Sequence, residues 1–105
     1  MDKKSISPII SRFKKILETK GIKIEKIILY GSWAKNRQRE DSDIDLVVIS
    51  NDFSKKGYWE RIDILSDAIY KIFEPIEAVA MTPEEWENGN SFIRDYARDG
   101  ETIYV

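Results

Sequence analysis

Two aspartates stand two residues apart in Asp43-Ile44-Asp45, directly before the apolar run Leu46-Val47-Val48-Ile49. A third acid, Glu77, falls near the start of another apolar run, Ile76 to Met81. Ahead of them a β-branched stretch, Ile24 to Tyr30, ends in Gly31-Ser32. Carboxylates without imidazole or thiolate are the ligand set that Mg²⁺ prefers, its shell completed by water and substrate phosphates. A Gly-Ser turn opening a helix offers backbone N–H groups and a hydroxyl, a small anion cradle. Metal-binding acids beside a phosphate cradle imply phosphoryl-type transfer, in which two ions clamp the attacking and leaving oxygens.

Composition narrows the chemistry further. The chain has 105 residues with no Cys and no His, which removes thiolate nucleophiles, disulfides, Cys/His zinc sites and imidazole acid-base schemes. Any catalysis falls to carboxylates, hydroxyls, lysine or a hard metal. With 42% hydrophobic and 34% charged residues, residues 1–105 are expected to form one small folded domain. The net charge of -2 argues against coating nucleic acid by bulk electrostatics. No run of eighteen apolar residues exists and MDKKSISP lacks the apolar core of a signal peptide, so a cytoplasmic protein without a membrane partner is expected.

The elements that must position these acids follow from periodicity. Ser5 to Lys20 has helical spacing (Ile6, Ile9, Ile10, Phe13, Ile16, Leu17), with Ser7-Pro8 as cap and first turn and Gly21 as terminator. Ile24–Tyr30 is read as strand one, Ser32 to about Gln38 as a short helix, and Asp43–Ile49 as an interior strand two. Asn51 to Gly57 is a polar loop. Tyr58 to Phe73 is helical, with Tyr58, Ile62, Leu65, Ile69 and Ile72 on one stripe, and Pro75 breaks it before strand three, Ile76–Met81. Thr82-Pro83-Glu84-Glu85 has capping-box logic, Ser91 to Arg98 is a further helix ended by Gly100, and Thr102–Val105 is a short extended tail.

The expected fold class is therefore α/β (α+β), a small mixed sheet with helices. Strand two, its following helix and strand three make a βαβ unit with parallel strands. Strand one, about a dozen residues away, is expected beside strand two and antiparallel to it. The starts of strands two and three then share an edge with the end of strand one. Residues two apart on a strand lie roughly 6.6 Å apart and neighbouring strands about 4.8 Å apart, so Asp43, Asp45, Glu77 and Gly31-Ser32 converge. Three acids so placed repel one another unless protonated or bridged by cations.

Gly31-Ser32, ten intervening residues and Asp43-Ile44-Asp45 resemble the GSX10DXD signature of the DNA polymerase β-like nucleotidyltransferase superfamily, and at this length its minimal nucleotidyltransferase branch. The flanks agree: an apolar strand before Gly31, Ser42 before the aspartates, Leu46-Val47-Val48 after them, and DGETIYV at the end. The resemblance implies that fold, with Asp43 and Asp45 holding Mg²⁺, two ions in all, and Gly31 and Ser32, with the aspartates, binding the nucleotide triphosphate. It implies Glu77 as third metal ligand and general base. It further implies an antitoxin that transfers AMP from ATP to a tyrosine of a partner HEPN-domain toxin. Family members often carry Gly where this chain has Asn36, and Asp where it has Glu77.

Blander readings stand beside these. Asp43 and Asp45 could form a solvated strand entrance, Ser32 a helix cap, and Glu77 an exposed strand residue. Lys35, Arg37 and Arg39 could meet a triphosphate or an acidic partner, or simply face solvent. Trp33 is expected to pack in the core or at an interface, and Tyr58, Trp59 and Trp86 are core or partner-facing aromatics. Two rival functions remain: a contact-only binding module, and a stand-alone transferase acting on a small molecule or nucleic acid.

Overall fold

The alternation of apolar and polar residues produces the architecture seen in a computed structural model, which describes residues 3–35, 42–89 and 91–103. Helix α1 (Lys3–Thr19) leads into β1 (Lys26–Tyr30) and β2 (Ile44–Ile49). A 3₁₀ turn (Asn51–Lys55), α2 (Tyr58–Ile72), β3 (Ile76–Met81), α3 (Pro83–Asn88), α4 (Phe92–Ala97) and β4 (Glu101–Ile103) follow. The strands make one mixed sheet in the order β3-β2-β1-β4. As expected, β1 pairs antiparallel with β2, and β2 pairs parallel with β3.

The sheet is covered on both faces, which explains why β2 is apolar on both. Ile27, Leu29, Leu46 and Val48 pack with Ile10, Phe13 and Leu17 of α1 and Leu65 and Ala68 of α2. Ile28, Val47, Ile49 and Met81 face the other way, toward Ala97, Trp86 and Ile93. Asp45 and Glu77 share the parity of Val47 and Val79, which places them on this second, thinner side.

Several expectations need correction. Helix α1 starts ahead of the Ser7-Pro8 pair, leaving Pro8 inside the helix, where it lacks the N–H that would donate to the preceding turn. Of the short helix expected over Ser32 to about Gln38, residues 36–38 lie outside the described residues; residues 31–35 form a turn closed by Lys35 N–H donating to the Gly31 carbonyl at 3.3 Å. The loop after β2 contains the 3₁₀ turn, capped by the Ser50 hydroxyl, with Phe53 buried. Tyr58 does not join the buried stripe of α2; it stands in solvent at the helix start. The terminal segment forms a fourth strand against β1, with Ile27 opposite Ile103. Gly100 permits this approach, since a Cβ there would lie 2.5 Å from the Leu29 carbonyl oxygen.

The capping box is as expected. Thr82 Oγ1 accepts from Glu85 N–H at 3.1 Å, and Glu85 Oε1 accepts from Thr82 N–H at 2.8 Å. Arg61 fastens the same corner, donating to Glu85 Oε1 at 2.7 Å, to the Phe53 carbonyl at 2.8 Å and to the Lys56 carbonyl at 3.0 Å. Burial pushes the Glu85 carboxyl up, but the Arg61 and Thr82 hydrogen bonds outweigh it and hold the carboxyl below its usual range.

Candidate active site

Strand register places the acids. Tyr30 at the end of β1 pairs with Asp45 of β2, and Asp45 pairs with Glu77 of β3, so the three stand in a row across neighbouring strands. Paired residues project on one face of a sheet, within reach of each other. Asp43 lies just before β2, exposed, and its charge still reaches Asp45. The structure therefore brings Asp45 and Glu77 into contact and leaves Asp43 as an outer neighbour.

Gly31 closes the site. Its φ of +73° lies in the left-handed region, and a Cβ at this position would sit 2.3 Å from Asp45 Oδ2. Only a residue without a side chain lets the backbone lie against that carboxylate. Ser32 follows, half-buried in the turn that connects the sheet edge to Lys35. Trp33 points into the main core, as expected, and its indole N–H is buried with no hydrogen-bond partner among the described residues. Asn36, Arg37 and Arg39 lie outside the described residues.

The electrostatics show why acids on a core strand are costly. Burial, then the charges of Glu77 and Asp43, then a hydrogen bond with Glu77 push the Asp45 carboxyl up to about 6. Tyr30 is pushed up to about 12, by burial first and then by Asp45, Glu77 and Tyr96. The mutual repulsion of two carboxyls in hydrogen-bond contact would be relieved by a cation. Among the described residues no three acids are grouped tightly enough to enclose a metal ion. Magnesium needs no such cage, because one or two carboxylates suffice when phosphates and water complete its shell. The oxygen-only donor set of Asp45 and Glu77 fits it.

Two features escaped the sequence reading. Tyr30 stands beside Asp45, and Tyr96 of α4 meets the Tyr30 ring edge-on at 5.7 Å between centroids. The Lys35 ammonium lies 5.4 Å from the Tyr96 ring, so this lysine reaches the acid-bearing side of the sheet. Tyr30 was recoverable from parity with Ile28 once an antiparallel register is assumed; Tyr96 depends on how α4 docks. Neither Asp45 nor Glu77 lines the apolar groove of about 460 Å³ between α2 and β3, which is bounded by Ile62, Leu65 and Val79.

A four-stranded mixed sheet with this acid row and glycine turn at one edge has the nucleotidyltransferase fold. A crystal structure of a "putative nucleotidyltransferase" from Sulfolobus solfataricus superposes with a TM-score of 0.63, covering 99% of this chain and 89% of that one at 18% identity, a likeness of fold alone. The chain belongs to the nucleotidyltransferase domain family, whose pattern matches residues 10–96. Three Methanocaldococcus jannaschii proteins, each named a "Putative protein adenylyltransferase", are similar to it. The first is 40% identical over 67 residues, covering 61% of this chain and 65% of the relative. The others are 35% and 37% identical over 60 residues, covering 57% of this chain and 59% and 52% of the relatives. The chain thus matches less than two thirds of the length of each relative.

Proposed function

We propose that this chain is a minimal nucleotidyltransferase that moves AMP from ATP onto a hydroxyl, the acceptor being a tyrosine of a separate HEPN-domain toxin, so that the chain acts as antitoxin. The single observation that carries the transferase reading is the Asp45–Glu77 contact with Gly31 pressed against Asp45. The names of the archaeal relatives support adenylyl transfer to protein.

In this mechanism Asp45 and Glu77, with Asp43 at the rim, hold Mg²⁺, which when bound neutralises phosphate charge and polarises the α-phosphate. The backbone of Gly31 and the Ser32 hydroxyl orient the triphosphate. Glu77, the more exposed of the paired acids, takes the proton from the acceptor hydroxyl as that oxygen bonds to the α-phosphorus. The bond to the β-phosphate oxygen breaks and pyrophosphate leaves. Lys35 lies where it can approach the departing phosphates.

The test is incubation with ATP, Mg²⁺ and the protein encoded beside this chain. The neighbour should gain one or more adenylates, and Asp45→Asn should abolish the gain. A contact-only antitoxin is the second reading, and the exposed Phe92 of α4 favours it as a binding surface. If Asp45→Asn protects cells as well as the wild type and no adenylate appears, the contact reading replaces the catalytic one.

A further inference from the structure

The face of α2 turned away from the core is apolar where a surface helix normally places charge. Trp59, Ile62, Ser66, Tyr70 and Phe73 recur at helical spacing, opposite the buried Leu65, Ala68 and Ile72. Trp59 is 73% exposed, Tyr70 74% and Phe73 83%, and Tyr58 beside them is 69% exposed. The rings are mutually packed, Tyr58 on Trp59 at 4.9 Å and Tyr70 near Phe73 at 5.8 Å between centroids. Asp63 and Asp67 flank the stripe on one side only, Asp67 being held by Lys20 and Lys71.

A second feature points the same way. Phe73 ends α2 with a φ of 55°, a left-handed conformation that suits Gly or Asn and strains a bulky residue. Its ring is almost wholly exposed, so no burial within the chain offsets that strain.

The sequence of the stripe says what covers it. About Ser66 it is nearly symmetric: Trp59 and Phe73 are equally distant, and so are Ile62 and Tyr70. Two antiparallel copies of α2 with a twofold axis at Ser66 would set Trp59 against Phe73 of the second copy and Ile62 against its Tyr70. The small Ser66 would meet its twin at the closest approach. Such an interface is isologous, the same patch on both copies. The area is also adequate: four aromatic rings of 150–250 Å² each, about three-quarters open, present roughly 450–750 Å². That lies in the upper part of, and above, the roughly 300–600 Å² of the largest patch on a typical monomer and, with Ile62 and Ile69, nears the roughly 800 Å² per partner of a stable complex.

We infer that the chain forms a symmetric homodimer through the Trp59–Phe73 stripe of α2, with its twofold axis at Ser66. This stands whether or not the acid site transfers nucleotides. The chain has no cysteine, so Ser66→Cys is a clean reporter. Light scattering of the full chain at about 0.1 mM should give twice the 12.3 kDa mass, and Ser66→Cys should cross-link under mild oxidation while Glu18→Cys should not. Trp59→Glu should halve the mass and prevent the Ser66→Cys cross-link while circular dichroism stays unchanged; Phe73→Gly serves as a second variant, expected to halve the mass without loss of folded signal. A monomeric wild type, a dimer indifferent to Trp59→Glu, or a monomer whose stripe instead captures the neighbouring gene's protein would each overturn the inference.

Discussion

Gly31 and Asp45 show how a single backbone position can govern a carboxylate. An added methyl at Gly31 would meet Asp45 Oδ2 at 2.3 Å while the left-handed φ penalises any side chain. Gly31→Ala should therefore destabilise the fold by about 1–3 kcal/mol, seen in urea unfolding. Its effect on the proposed nucleotide transfer should be about 10²-fold, since a carboxylate moved by roughly an ångström loses its alignment. A variant with wild-type transfer would show that Asp45 does not need its present position. Glu77 illustrates the complementary point: its identity as a partner of Asp45 depends on strand register, not on any neighbour in sequence.

At the scale of elements, the corner where α2, β3 and α3 meet is held by polar contacts rather than apolar burial. Thr82 caps α3 and Glu85 returns the bond, while Arg61 ties Glu85 to the backbone of the preceding 3₁₀ turn. Thr82→Ala should cost about 1 kcal/mol, measured by chemical unfolding, because it orphans an N–H of the first turn. No loss would mean that water caps this helix equally well. The box was legible because capping is a local pattern of residue types three apart. A failure at this scale was also local in origin. The three-residue β4 carries too little alternation to be distinguished from a tail, and it exists because β1 offers a free edge beside Gly100.

Across the whole molecule, opposed titrations set the pH dependence of stability. The Asp45 carboxyl, usually near 3.8, is raised to about 6 when folded. Between those values the folded state binds more protons than the unfolded one, so stability falls as pH rises through this window. Glu85 behaves oppositely: its folded carboxyl is held below the usual 4.5, so its contribution is present above that value and lost as pH falls below it. Without divalent ions the melting temperature should peak between about pH 4 and 5. Asp45→Asn should remove the decline on the alkaline side and melt higher than wild type at about pH 8. An unchanged decline in Asp45→Asn would show that another group causes it.

Residue types alone determined the chemical repertoire: oxygen ligands and no imidazole or thiolate, with a Gly-Ser turn and a DXD pair spaced by ten residues. Periodicity also determined α1, α2 and the first three strands closely, because burial of one face imposes a repeat that can be read along the chain. Tertiary structure alone decided which residues meet. Pairing across β1, β2 and β3 joined Tyr30, Asp45 and Glu77, and the docking of α4 set Tyr96 beside Tyr30 and Lys35. Contacts between residues so far apart in the chain depend on register and packing, and a shift of one residue would have turned Glu77 to the opposite face.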